Sequence, residues 1–105
     1  TPNHGEYPCG HCLFAGGIAE LMSAYGGKAP LWGVRTNSLS IAGAATQVLP
    51  DWDEWVRQVS YSRILGGVHY RFSNEAGEEM GRRLGRLTLE RVLTPLPANE
   101  VREAR

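Results

Sequence analysis

Two stretches of this sequence carry side chains that could do chemistry: Cys9-Gly10-His11-Cys12, and Ser62-Arg63 followed by His69. Taken alone, the first is a dithiol. At a helix N-terminus its thiol pKa would be lowered, which suits disulfide exchange. Taken with the second, it is half of an anion site. Gly10 and His11 fall at the expected start of a helix, where unpaired N–H groups and the dipole favour negative charge. Glycine there also lets the backbone come close.

The second stretch must converge on the same point for this to work. On a continuous helix Arg63 and His69 would point about 120° apart. Gly66-Gly67 lies between them and breaks the helix, so Arg63 can occupy the last turn while His69 stands on the bend. A guanidinium, backbone amides and two imidazoles then surround one tetrahedral oxyanion, a set suited to phosphate or vanadate.

Helices have to position these groups. Residues 1–8 read as a loop, with two prolines, Asn3 and Gly5 giving no period. A first helix begins near Gly10 or His11, with Leu13, Phe14, Ile18, Leu21, Met22 and Tyr25 as its apolar face. Ala15, Ala19 and Ser23 form a strip of small residues beside that face, and Gly26-Gly27 ends the helix. Residues 28–50 are expected to be irregular, with a short extended piece at Leu31–Val34 and a helical turn or two within Ile41–Val48. Asp51 caps a second helix carrying Trp52, Trp55, Val56, Val59 and Ile64 at helical intervals. A last helix is expected from Ser73 or Asn74, with Glu75, Glu78 and Glu79 in its early turns. Gly77, Gly81 and Gly85 recur every four residues along it. Each costs about 1 kcal/mol of helix propensity against alanine, so the stripe predicts a partner helix lying against it. Pro95 and Pro97 end the helix, and residues 94–105 are expected to fray. The expectation is one all-α domain over residues 1–105, a partial helical bundle of three main helices with an irregular connection.

Composition narrows the function. Eleven Lys and Arg balance eleven Asp and Glu, so no basic field points to nucleic acid or an anionic membrane. The late cluster Arg82, Arg83, Arg86 and Arg91 is interleaved with Glu78, Glu79 and Glu90 and reads as a solvated helix face. No apolar run is long enough to span a bilayer. Two cysteines make no disulfide framework, and a metal cation would need further ligands.

Pro8-Cys9-Gly10-His11 resembles the Pro-Ser-Gly-His motif, and Ser62-Arg63 followed by His69 resembles the Ser-Arg-x5-His motif, of the type 2 phosphatidic acid phosphatase and vanadium haloperoxidase superfamily. Glu6-Tyr7-Pro8, Gly67-Val68-His69-Tyr70-Arg71-Phe72 and Asn74-Glu75-Ala76-Gly77 resemble its bacterial haloperoxidase-like branch. The resemblance runs from His4 to about Val92. It implies that His69 is the axial ligand of vanadate in a peroxidase, or the nucleophile forming a phosphohistidine in an acid phosphatase acting on phosphate monoesters. It implies that His11 is the general acid/base, that Arg63 neutralises equatorial oxygens, and that Cys9, Gly10 and Ser62 complete the anion-binding set. His4 occupies a position that tunes halide handling, and a solvent-exposed loop histidine is the alternative. The implied partners are a small oxyanion with halide and peroxide, or a phosphate ester. The implied location is periplasmic or secreted.

Three departures from the pattern stand out. No Lys and Arg pair precedes the second motif, and Lys28 and Arg35 come in the wrong place to replace it. Ser73 stands one helical turn after His69, where the phosphatases have Asp; it can hydrogen-bond without supplying charge, or serve as an N-cap. Cys9 is a weaker donor than serine, and a thiol beside peroxide is open to oxidation. The chain is therefore expected to be a fragment, or to associate with another copy, with the small-residue strip and the glycine stripe left partly uncovered. An inactive family remnant is one rival reading. A thiol–disulfide oxidoreductase is another, which requires a thioredoxin-like sheet with a strand feeding Cys9.

Overall fold

The computed structural model describes residues 2–38, 40, 43, 46–92 and 94–98. Among them are three helices, α1 (Gly10–Gly26), α2 (Trp52–Leu65) and α3 (Arg71–Arg91), with strands β1 (Val34–Thr36) and β2 (Gln47–Leu49) between α1 and α2. The bundle is the expected one. Helix α1 starts at Gly10 behind Cys9, whose sulfur accepts the Cys12 N–H at 3.1 Å. It stops at Gly27, where φ is +85°. Helix α2 is capped by Asp51, whose carboxylate accepts the Glu54 N–H at 2.7 Å.

The glycine stripe of α3 has its partner inside the chain. A Cβ on Gly77 would collide with the carbonyl of Cys9, and one on Gly81 with the carbonyl of Leu13. One on Gly85 would lie 2.9 Å from the carbonyl of Gly17. Helices α1 and α3 thus meet backbone to backbone. Ala15 and Ala19 of the small-residue strip are buried with Val56 of α2, and Trp52, Trp55 and Val59 pack around them. Both stripes expected to be partly uncovered are therefore covered, one by α3 meeting α1 and the other by α2. Conversely, Phe14, Met22 and Tyr25, expected on the buried face of α1, are exposed. Backbone contact wins because it excludes large side chains from between the helices.

Other expectations are corrected. Part of residues 28–50 is ordered as an antiparallel pair, Val34 facing Leu49 and Thr36 facing Gln47, with Val34 and Leu49 buried. The extended piece lies at 34–36 rather than 31–34. Gln47 and Val48 are strand, and the rest of the expected helical turn falls mostly outside the described residues. Helix α3 begins at Arg71, so its first turn holds no acid and Ser73 is not its N-cap. Arg82 is not on a solvated face: it reaches Asp53 of α2 at 2.9 Å and Glu20 of α1 at 3.4 Å. Among the described residues no helix is long and apolar enough to cross a membrane.

Candidate functional site

The turn between α2 and α3 brings Arg63 and His69 together. Gly66 ends α2, and Gly67, at φ +68°, reverses the chain. The amides of Val68 and His69 then both point back to the carbonyl of Arg63, at 3.2 and 3.4 Å. His69 thus stands on a bend folded against the end of α2, as the glycine pair predicted.

The loop before α1 crosses this bend. The His69 Nδ1 donates to the carbonyl oxygen of Glu6 at 2.5 Å, and the Glu6 carboxylate accepts the Tyr70 N–H at 2.8 Å. His4 stacks on the His69 ring, centroids 5.4 Å apart, and donates from its own Nδ1 to the Gly5 carbonyl. Tyr7 stacks on Phe72 at 5.7 Å. Cys9 then donates its N–H to the carbonyl of Ser73 at 3.0 Å, joining the start of α1 to the first turn of α3. Asn74, buried, donates to the carbonyl of Ser60 at 2.8 Å and ties α3 to α2.

The electrostatics follow from this folding. Partial desolvation holds the His11 imidazole below its ordinary value of 6.5, and the charges of Arg63, His4 and His69 push the same way. The Glu6 carboxyl is held below its ordinary value by the Ser73 hydroxyl first, then by the Tyr70 amide and His69. The Ser73 hydroxyl is nevertheless outside well-formed hydrogen-bond geometry with any partner. Ser73 thus acts on Glu6 by proximity rather than through a made bond.

Three expected residues, His4, Gly10 and His11, line one groove of about 840 Å³, together with Phe14, Ile18, Trp55 and Val59. His69 lines a separate hollow of about 410 Å³ with Glu6 and Val68. Two expected donors are not offered to an anion. Cys9 is fully buried and disulfide-bonded to Cys12, so it has no S–H to donate. Ser62 donates its hydroxyl to the Val59 carbonyl of its own helix at 2.6 Å. Sequence reasoning missed Glu6 and Asn74 as connectors. Both lie in stretches that carry the resemblance, but nothing local marks their contacts, since the partners lie on other elements.

His69 Nε2 and Arg63 Nε are both buried without a hydrogen-bond partner. A buried nitrogen left unpaired is costly; an oxyanion oxygen would satisfy the Arg63 Nε–H, and the anion's central atom would take the His69 Nε2 lone pair. The residues present fit vanadate or phosphate on that ground. Among the described residues no group of three or more His, Cys, Asp or Glu could hold a metal cation. The thioredoxin-like sheet required by a dithiol enzyme is likewise absent among them, the one sheet having two strands.

The fold is a helical bundle with Arg63 near the end of α2, His69 on the bend before α3 and His11 in the first turn of α1. The family described as the VCPO second helical-bundle domain matches residues 1–96, and the chain belongs to this vanadium haloperoxidase-like family. The crystal structure of an apo-type bacterial vanadium-dependent chloroperoxidase shares the fold, with a TM-score of 0.69 and 21% identity. That match covers 86% of this chain and 22% of the chloroperoxidase chain. Among curated proteins no sequence matches.

Proposed function

We propose that the protein binds vanadate at His11, Arg63 and His69 and serves a haloperoxidase reaction, oxidising halide with peroxide. The observation that carries this reading is the state of His69. Its Nδ1 is tied to the Glu6 carbonyl, so the neutral ring carries its proton there and leaves the buried Nε2 unprotonated and unpartnered. That nitrogen would hold the vanadium. The Arg63 guanidinium would neutralise oxygen charge, and the Gly10 amide at the start of α1 would donate to another oxygen. Vanadate would supply the Lewis-acid centre at which peroxide is activated. His11, held toward its neutral form, is suited to accept a proton at neutral pH.

An acid phosphatase is the second reading, supported by the same unpartnered Nε2, which would serve as the nucleophile. It would attack phosphorus as the ester oxygen leaves, with protonated His11 donating to that oxygen. Such a reaction needs His11 charged and so runs at acidic pH.

Vanadate separates the readings. In the full-length protein it should confer bromide-dependent oxidation of a dye, abolished by His69→Ala. Inhibition of phosphate-ester hydrolysis by vanadate would establish the phosphatase instead. Neither activity would leave an inactive remnant.

A further inference from the structure

His69 is the least exposed of the three histidines, at 5%. A buried ring is oriented by what touches it, and the start of α3, two residues on, offers little. The residue one turn on, Ser73, is neutral, and its hydroxyl is unpartnered. The loop before α1 supplies what α3 does not. The Glu6 carbonyl meets Nδ1 at 2.5 Å, while Glu6 Oε1 lies 3.6 Å from the same nitrogen. That oxygen is itself pinned by the Tyr70 N–H at 2.8 Å, one residue beyond His69. The carboxylate cannot swing away without unpairing the amide at the start of α3. His4 closes the face of the ring.

We propose that Glu6 is the positioning residue of His69: its carbonyl fixes the Nδ1–H tautomer, and its Tyr70-anchored carboxylate supplies the negative charge beside the imidazole. This rests on the oxyanion reading and extends it to a residue outside the anion-contacting set. Charge that would otherwise have to come from position 73 on α3 comes from the loop. Glu6 needs no contact with the anion for this. It acts through the ring, as outer carboxylates act on ligating histidines. The rival role is plain capping of α3. The two roles part at Glu6→Gln, which keeps the main-chain carbonyl and an oxygen for the Tyr70 N–H and removes only the charge.

The test uses the full-length protein, with vanadate and inorganic phosphate as probes, and the His69 ring read by nitrogen NMR. In the wild type the neutral ring should carry its proton on Nδ1, slow to exchange; an Nε2–H tautomer overturns the proposal without any variant. E6Q should weaken vanadate binding about tenfold or more and speed Nδ1–H exchange, with an unchanged thermal midpoint. Adding Ser73→Asp to E6Q returns a carboxylate one turn after His69 and should restore most of the affinity, which a lost cap would not allow. An E6Q effect below about threefold on vanadate affinity overturns the proposal. If the wild type binds neither anion, the oxyanion reading falls and the Nδ1 proton alone decides for Glu6: faster exchange in E6Q supports it, and unchanged exchange overturns it.

Discussion

Gly81 faces the carbonyl of Leu13 so closely that a Cβ at this position would overlap the oxygen, far inside van der Waals contact. The obstructing atom is backbone, so no side chain can turn aside; α1 and α3 would have to separate. Gly81→Ala should therefore destabilise the protein by at least about 2 kcal/mol, although alanine gains about 1 kcal/mol of helix propensity. Gly26→Ala, where a Cβ meets nothing within 4 Å, is the control and should be nearly neutral. Urea midpoints decide, and equal stabilities would mean that the helices do not touch at Gly81.

That contact also explains what the sequence disclosed and what it hid. The period of Gly77, Gly81 and Gly85 announced a partner helix, Gly26-Gly27 marked the far end of α1, and Gly66-Gly67 marked the end of α2 near the site. The face that α1 buries was misread because large apolar residues were taken as core. With backbones in contact, there is room between them only for residues such as Ala15 and Gly16. Strands of three residues are too short for alternation to show. The placing of Arg63 in the last turn of α2 and His69 on the bend was legible because Gly66-Gly67 must break the helix between them. The Glu6 contact was not, because its partner lies on a bend 63 residues away in sequence.

The Cys9–Cys12 disulfide closes a very short loop, so the chain entropy it removes from the unfolded state is worth only about 2 kcal/mol. A serine at position 9 would keep an acceptor for the residue 12 amide and cap α1 better than sulfur. The double variant Cys9→Ser, Cys12→Ala should lose about 1 kcal/mol net, a fall of roughly 5 °C in thermal midpoint. Outright unfolding of the variant would show that the cross-link, not the cap, holds the start of α1.

Asp53 joins Lys28 at 2.9 Å and Arg82 at 2.9 Å, linking α2 to the end of α1 and to α3. The hydrogen bond from Lys28 comes first, with Arg82 behind it, in holding its carboxyl below the ordinary 3.8. The folded state thus binds this proton less readily than the unfolded state. The resulting stability is present above about pH 4 and is lost as pH falls through the lowered value. Asp53→Asn should cost about 1 kcal/mol at neutral pH and nothing in strong acid. Denaturation at neutral pH and near pH 2 checks this, and a cost independent of pH would refute it.

His11 titrates in the opposite sense for stability. Partial desolvation, with the charges of Arg63, His4 and His69, depresses its pKa below 6.5. As pH falls through 6.5 the unfolded chain takes up a proton that the folded chain resists, so stability declines until the folded value is passed. His11→Gln removes that penalty. Its stability should match the wild type near pH 8 and exceed it near pH 5, and the wild type should show the steeper decline between them. Inorganic phosphate adds a second arm: an anion seated among these groups offsets the positive charge opposing protonation of His11, so it should flatten the wild-type decline and leave the variant's slope unchanged. Parallel pH profiles for the two proteins, with or without phosphate, would mean that His11 does not face Arg63 and His69, and the anion site would lose its acid/base.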